Sequence, residues 1–208
     1  MSLVSTFQRF NISTLPSVRW QLQYLFALAS LLFFSGCATT PPPSSGGPQV
    51  AVMEIKFPKE KETRRVVIAF REGAAPQTVS NFKELVTRNY YDGMRFHRIF
   101  AHTLVQTGDP KSRHGETNYS GTGGPGHTIP AEIHLPHQRG SVAMSRLPDN
   151  INPLRASNGS QFYVCLEPMP QLNGEYTVFA EVTEGLEVLD AVSVVPANSN
   201  NFPMEKIV

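Results

Sequence analysis

The chain has 208 residues, 40% of them hydrophobic, and its 18 Lys+Arg against 17 Asp+Glu leave a formal net charge of +1. That balance fits one globular domain of modest size and excludes both a disordered chain and a multi-pass membrane protein. Arg9 and Arg19 are the only charges before Cys37, so the remainder carries 16 basic and 17 acidic residues and offers no basic surface to nucleic acid.

The N-terminus reads as an address. From Trp20 to Phe34 the sequence WQLQYLFALASLLFF follows Arg19 and ends at the small residues Ser35 and Gly36, the layout of a secretory signal peptide. Its apolar stretch, Leu22 to Phe34, falls short of the roughly 20 residues a bilayer-crossing helix needs, so a permanent span is not expected. The ending FSGC, Phe34 to Cys37, resembles the lipobox of bacterial lipoproteins, in which cleavage precedes the cysteine and its sulfur receives a diacylglyceryl group. Residues 1–36 are therefore read as a signal peptide. Cys37 is read as a lipidation site, palmitate included, that attaches the protein to a membrane of a bacterial envelope on the periplasmic side or at the cell surface. At about 0.8 kcal/mol per buried methylene, several acyl chains hold a domain far more firmly than one myristoyl chain does. Ala38 to Gln49, ATTPPPSSGGPQ, has no apolar periodicity and reads as a tether spanning on the order of 30 Å at about 3.1 Å per residue. Residues 37–49 are thus the lipidated cysteine and its tether, and 50–208 the folded domain.

From Val50 onward, short β-prone segments alternate with turn-rich stretches: Val50 to Phe57, Arg64 to Phe70, Met94 to Phe100, Leu104 to Thr107, Ser141 to Met144, Gln161 to Leu166 and Thr177 to Val182. Two helices are expected. Pro76 to Tyr90 opens on a proline whose missing N–H costs nothing there, and it lines Val79, Phe82, Leu85, Val86 and Tyr90 along one face. Leu186 to Val194 is shorter. A mostly antiparallel sheet with so few helices buries itself best by closing, so a helix-plugged barrel is the expected architecture.

Most chemical motifs are absent. The six histidines, His97, His102, His114, His127, His134 and His137, are scattered without an HExxH, and no metal site is expected. GTGGPG, Gly121 to Gly126, matches a dinucleotide fingerprint only formally: Pro125 sits inside it and no strand feeds it, so it reads as a turn-rich surface loop. There is neither a Walker lysine nor a GxSxG elbow. Cys165, inside an apolar strand, reads as a buried inert thiol, and pairing with Cys37 is not expected. The segment Phe96-His97-Arg98-Ile99 departs from this blandness, because alternation in a strand puts Arg98 on the same face as Phe96.

The combination YYDGMRFHRI (Tyr90 to Ile99), VQTGDP (Val105 to Pro110), GTGGPG, SNGSQFYVC (Ser157 to Cys165) and QLNGEYTVFAEVTEG (Gln171 to Gly185) resembles, in this order, a bacterial cyclophilin-type peptidyl-prolyl cis/trans isomerase. The resemblance covers the whole folded part. It implies a mainly β fold, a closed eight-stranded antiparallel barrel capped by two α-helices, with the site in a groove on its outer surface. It further implies no cofactor, proline-containing polypeptide segments as partners, and a monomer.

Rotation about an X-Pro amide is slow because it breaks resonance, against a barrier of about 18–20 kcal/mol. No bond has to be made or broken, so the protein need only bind the twisted amide better than the planar one. The resemblance gives that role to Arg98, which donates toward the proline nitrogen. By the same resemblance Gln106 and Gln161 hold the substrate backbone, and Leu104, Tyr163 and Leu172 form the proline pocket. Gly121 lies on the groove edge, and Phe96, His97, Thr103, Ser145, Arg146 and Tyr176 complete the substrate-binding set. The departures from the family pattern are Thr103 where a Phe is usual, Ser145-Arg146 where Ala-Asn is usual, Gln171 in place of a Trp, Tyr176 in place of a His, and an insertion from Leu147 to Ala156. They imply a weaker pocket and weak cyclosporin binding. The reading is an isomerase that assists folding of exported proteins; Thr103 and Arg146 favour as alternative a catalytically weak module that binds prolyl segments as a chaperone or scaffold.

Overall fold

The computed structural model describes residues 9–14, 48–114 and 121–208. Cys37, the apolar run before it and most of the tether lie outside the described residues. The described residues form ten strands: β1 (Arg9–Thr14), β2 (Gln49–Ile55), β3 (Arg64–Phe70), β4 (Arg98–Phe100), β5 (Leu104–Thr107), β6 (Thr128–Ile129), β7 (Ser141–Met144), β8 (Ser157–Asn158), β9 (Phe162–Cys165) and β10 (Val178–Glu184). Two α-helices, α1 (Pro76–Thr87) and α2 (Leu186–Ser193), and short 3-10 turns at Pro110–His114 and Pro170–Leu172 complete them. No helix among the described residues is long and apolar enough to cross a membrane.

The main sheet has eight strands in the order β1-β2-β3-β10-β7-β9-β5-β4, with antiparallel neighbours throughout, and β6 pairs with β8 in a small second sheet. The fold is thus mainly β with two helices. The C-terminal residues bond to edge strand β4, to the segment before it and to the residue after β2: Asn201 accepts from the N–H of Ile99 at 2.8 Å, Ile207 from Phe96 at 3.2 Å, and Val208 donates to the Lys56 carbonyl at 3.3 Å.

Alternation along the strands decides which side chains enter the core. Ala51, Met53 and Ile55 of β2, Val66 and Ile68 of β3, Val105 of β5 and Phe162 and Val164 of β9 point into one cluster, which α1 closes with Val79, Phe82, Leu85 and Val86. Helix α1 has no side-chain cap of its own. Instead the buried Glu132 carboxylate accepts from the N–H groups of Gln77 at 3.0 Å and Thr78 at 2.9 Å, placing negative charge at the positive end of the helix. The helix ends at Thr87 rather than Tyr90 because Asn89 turns left-handed, with φ of 55°. Gly185, at φ of 80°, starts α2 where a Cβ would lie 2.2 Å from the Arg65 carbonyl oxygen.

The two-residue strands β6 and β8 were not expected, and two strands of the main sheet also differ from the sequence reading. Strand β1, inside the segment read as a signal peptide, adds to β2 with Phe10 opposite Met53 and Ile12 opposite Ala51. Phe10 is buried against the rings of Phe82, Tyr91 and Phe162, with centroids 5.8, 5.2 and 6.2 Å away. A two-apolar alternation in six residues is too brief a signal to be read without its partner strand. Strand β4 begins only at Arg98, so alternation does not reach back to Phe96: Phe96 is buried in the core and Arg98 exposed, not on one face as the sequence pattern suggested.

Candidate active site

A cross-strand row organises the outer face of the sheet. Arg98 is opposite Gln106, Gln106 opposite Tyr163, and Tyr163 opposite Ala143, across β4, β5, β9 and β7. Their chain neighbours Ile99, Val105, Val164 and Val142 face the main core. The sheet therefore packs twice, once inward and once outward, where Ala143, Tyr163, Cys165, Met169 and Val178 form a second apolar cluster with Leu104, Leu172 and Tyr176 at its margin. Arg98 is exposed at one end of the row, its guanidinium 4.9 Å from the centroid of the Phe100 ring two residues on.

Between Arg98 and the apolar cluster lies a buried amide pair. Gln106 Nε2 donates to Gln161 Oε1 at 3.0 Å and to Ser145 Oγ at 3.4 Å, and Gln161 Nε2 donates to the Gly123 carbonyl at 2.7 Å. Burial makes an unpaired carboxamide costly, so these bonds fix the orientation of both side chains. The loop that supplies Gly123 is anchored by Asp109. Its fully buried carboxylate accepts from the N–H groups of Lys111 at 2.8 Å, Gly123 at 3.2 Å and Gly121. Asn158 completes the frame: its Oδ1 accepts from the N–H groups of Ser160 at 3.0 Å and Gln161 at 2.9 Å, while its Nδ2 donates to the Gly123 carbonyl at 3.1 Å. The sequence reading gave Asp109 and Asn158 no role, although an acid directly after Gly108, in reach of a glycine-rich run, was a signal for the first.

Leu104, Tyr163, Leu172 and Tyr176 meet around the outer cluster, Tyr163 and Tyr176 edge to face with centroids 5.9 Å apart. Thr103, half-buried, turns its hydroxyl back to the Ala101 carbonyl at 3.2 Å. Cys165 is fully buried in this cluster and burial pushes its thiol up to about 12, in keeping with an inert residue. Tyr163 is likewise pushed above the ordinary tyrosine value by burial.

The remaining residues of the expected set sit apart from the open face. Phe96 lies in the main core and His97 is buried behind Arg98. Burial lowers His97 to about 4, opposed by the Asp109 carboxylate and reinforced by the Arg98 charge; neither ring nitrogen has a hydrogen-bond partner among the described residues. Arg146 keeps only 5% of its side chain exposed. Its guanidinium donates to the Glu175 carbonyl at 2.8 Å and the Leu147 carbonyl at 3.0 Å, and pairs with Glu175 at 3.1 Å and with Asp149. It also lies 4.7 Å from the Tyr176 ring centroid. Arg155 joins the same network, 3.0 Å from Asp149 and 3.2 Å from Glu175, so the inserted loop is clamped to the 173–176 turn by charge. Among the described residues no group of three or more His, Cys, Asp or Glu could hold a metal ion.

An exposed guanidinium, a fixed amide pair and an apolar cluster share one face of the sheet, and comparison with known proteins decides what they serve. Residues 54–208 match the family model described as cyclophilin type peptidyl-prolyl cis-trans isomerase. The chain belongs to the cyclophilin family. A peptidyl-prolyl cis-trans isomerase of Helicobacter pylori is 43% identical over 123 residues, covering 57% of this chain and 68% of that protein. Peptidyl-prolyl cis-trans isomerase B of Bacillus subtilis is 42% identical over 117 residues, covering 55% and 73%. A crystal structure of a Cryptosporidium parvum cyclophilin superposes with a TM-score of 0.62 at 25% identity, covering 74% of this chain and 92% of that one. The activity of this cyclophilin is accordingly peptidyl-prolyl cis-trans isomerisation.

Proposed function

We propose that Arg98 is the group that speeds X-Pro rotation. As the amide twists, its nitrogen recovers a lone pair, and a guanidinium held beside it binds the twisted form better than the planar one. The carboxamides of Gln106 and Gln161 take the substrate backbone, and Leu104, Tyr163 and Leu172 take the proline ring, with Thr103 and Tyr176 on the wall and Gly121 at the groove edge. Ser145 and Arg146 act through the glutamine pair and the inserted loop, and Phe96 and His97 hold Arg98 from behind. The observation that carries this reading is the register Arg98–Gln106–Tyr163, which lines up cation, amide and ring on adjacent strands of one face. A relative of similar fold was crystallised in the presence of the dipeptide Ala-Pro, which supports a short prolyl segment as ligand.

The experiment is cis/trans exchange in an Ala-Pro peptide followed by NMR, with the protein and with its Arg98→Ala version. Acceleration by the first and little by the second supports Arg98 in this role; equal acceleration by both removes it.

The sheet, in this reading, closes into a barrel. The C-terminal residues that bond to Phe96 and Ile99 on one side and to Lys56 on the other are the support, since they span from the β4 edge to the end of β2. The protein, as a monomer, works outside the cytoplasm on exported clients, anchored by lipid on Cys37 and spaced from the membrane by residues 38–49. The lipobox-like FSGC and the apolar run before it support that assignment. The mass of the protein recovered from membranes tests it: a chain beginning at a diacylglyceryl-bearing Cys37 is expected, and an intact N-terminus would overturn it.

A further inference from the structure

His137 lies beneath the apolar pocket, fully buried, and the reading above gives it no part. Its backbone N–H donates to Asn173 Oδ1 at 2.7 Å. A backbone N–H can only donate, so the Asn173 atom there is the oxygen. The same oxygen lies 3.3 Å from His137 Nδ1, which must therefore carry the proton of the neutral ring. Nε2 is then an acceptor, and it lies 2.9 Å from the Tyr163 hydroxyl, which donates to it. The two rings are nearly parallel, 9° apart with centroids at 6.0 Å, and Tyr176 meets His137 edge-on at 6.3 Å.

We infer that His137 is a positioning residue that sets specificity: by accepting a hydrogen bond from the Tyr163 hydroxyl, it keeps the pocket's ring apolar toward the proline. The inference rests on the proline-pocket reading above. A proline ring has nothing to accept a hydrogen bond. If the Tyr163 O–H turned into the pocket, binding would strip it of water and leave the donor unsatisfied. Protonating His137 forces that turn, because Nε2–H then donates to the hydroxyl oxygen and the hydroxyl proton has to leave.

The surroundings favour the neutral ring. Burial lowers His137 below the ordinary value of 6.5, against the smaller opposing effect of the Asn173 bond. The groups facing it are Tyr163 from β9 and Tyr176 and Asn173 from the loop after the Pro170–Leu172 turn. Neighbouring charges are engaged elsewhere: Arg139 by Asp190 at 2.6 Å and the Leu166 carbonyl, Glu175 by Arg146 at 3.1 Å and Arg155 at 3.2 Å.

The test is KM for an Ala-Pro peptide between pH 8 and pH 5, in the wild type, Tyr163→Phe and His137→Leu. In the wild type KM rises about 10-fold as His137 takes up its proton, the order expected for one unsatisfied hydroxyl, while kcat changes less. In Tyr163→Phe the ratio of KM at the two pH values stays near one, whatever its level at pH 8. In His137→Leu, KM is high and flat; if that variant does not fold, Tyr163→Phe alone decides. A wild-type profile that stays flat while the His137 ring signal shows protonation by NMR, or an equal rise in Tyr163→Phe, overturns the inference. Arg98→Ala is run alongside at pH 8: an unchanged kcat there would instead bring down the site reading itself.

Discussion

Arg98 lies directly opposite Gln106 across the β4–β5 ladder, the first exposed at the sheet edge and the second buried and held by Gln161. The charge that is free to meet substrate is therefore supported by a neighbour that cannot move. Replacing Arg98 by Ala is expected to lower kcat by about 100-fold, the scale for losing one donor aimed at developing charge, with a smaller change in KM. Arg98→Lys keeps the charge but not the planar fork, and should recover only part of the loss. NMR exchange rates at saturating and limiting peptide separate the two constants, and a change confined to KM would count against electrophilic assistance.

The glycine-rich loop is held as tightly as the row it serves. A Cβ on Gly123 would lie 2.1 Å from Asp109 Oδ1 and 3.1 Å from Pro110 Cδ, and that carboxylate is buried. Gly123→Ala must push the loop away from Asp109, loosening the carbonyl that accepts from Gln161. KM is expected to rise several-fold and the thermal midpoint to fall by several degrees, the response to about 1–3 kcal/mol of lost buried hydrogen bonding. A variant with unchanged KM and midpoint would show that the loop does not support Gln161.

Much of this arrangement was legible in the residues. The spans Arg64 to Phe70, Leu104 to Thr107 and Ser141 to Met144 agree with β3, β5 and β7 because each is a short β-prone run bounded by turn residues, with consecutive positions buried where the sheet packs on both faces. Of the residues the resemblance singled out, Arg98, Gln106 and Tyr163 stand opposite one another across the strands, Gln161 bonds to Gln106, and Leu172 packs against the outer cluster. What could not be read depends on contacts distant in sequence. Glu132 caps a helix 54 residues away, Asp109 pins a glycine loop, and Arg146 turns into a charge network rather than toward open solvent. No local pattern marks such partners, since the backbone N–H groups that Glu132 and Asp109 accept from carry no sequence signal, and neither do the carbonyls that Arg146 donates to.

Stability should fall on acidification through His97. Its value of about 4 in the folded protein lies below the ordinary 6.5, so the unfolded chain binds more protons between these limits. The stabilisation is fully present above 6.5, is lost as pH falls from 6.5 to about 4, and changes no further below that, for a total on the order of 3 kcal/mol. Urea unfolding at pH 7, 5.5 and 4.5 measures it. His97→Asn, which does not titrate, should flatten this part of the profile, and an unflattened profile would assign the loss to other groups.

Phe10 would couple the fold to the processing proposed above. Its ring is buried among Phe82, Tyr91 and Phe162, yet it precedes the cleavage point expected before Cys37. Strand β1 also protects the edge of β2, whose backbone groups would otherwise be open to pairing with another chain. Phe10→Ala in the full chain leaves a cavity in an aromatic cluster and is expected to cost about 3–5 kcal/mol. Amide exchange along Gln49 to Ile55 should quicken in the same variant, since the β1–β2 ladder loses its anchor. If neither stability nor exchange changes, β1 contributes nothing to the folded domain and its removal at Cys37 would be without consequence. If both change as expected, cleavage before Cys37 removes a strand that the core uses, and the processed protein is less stable than its precursor.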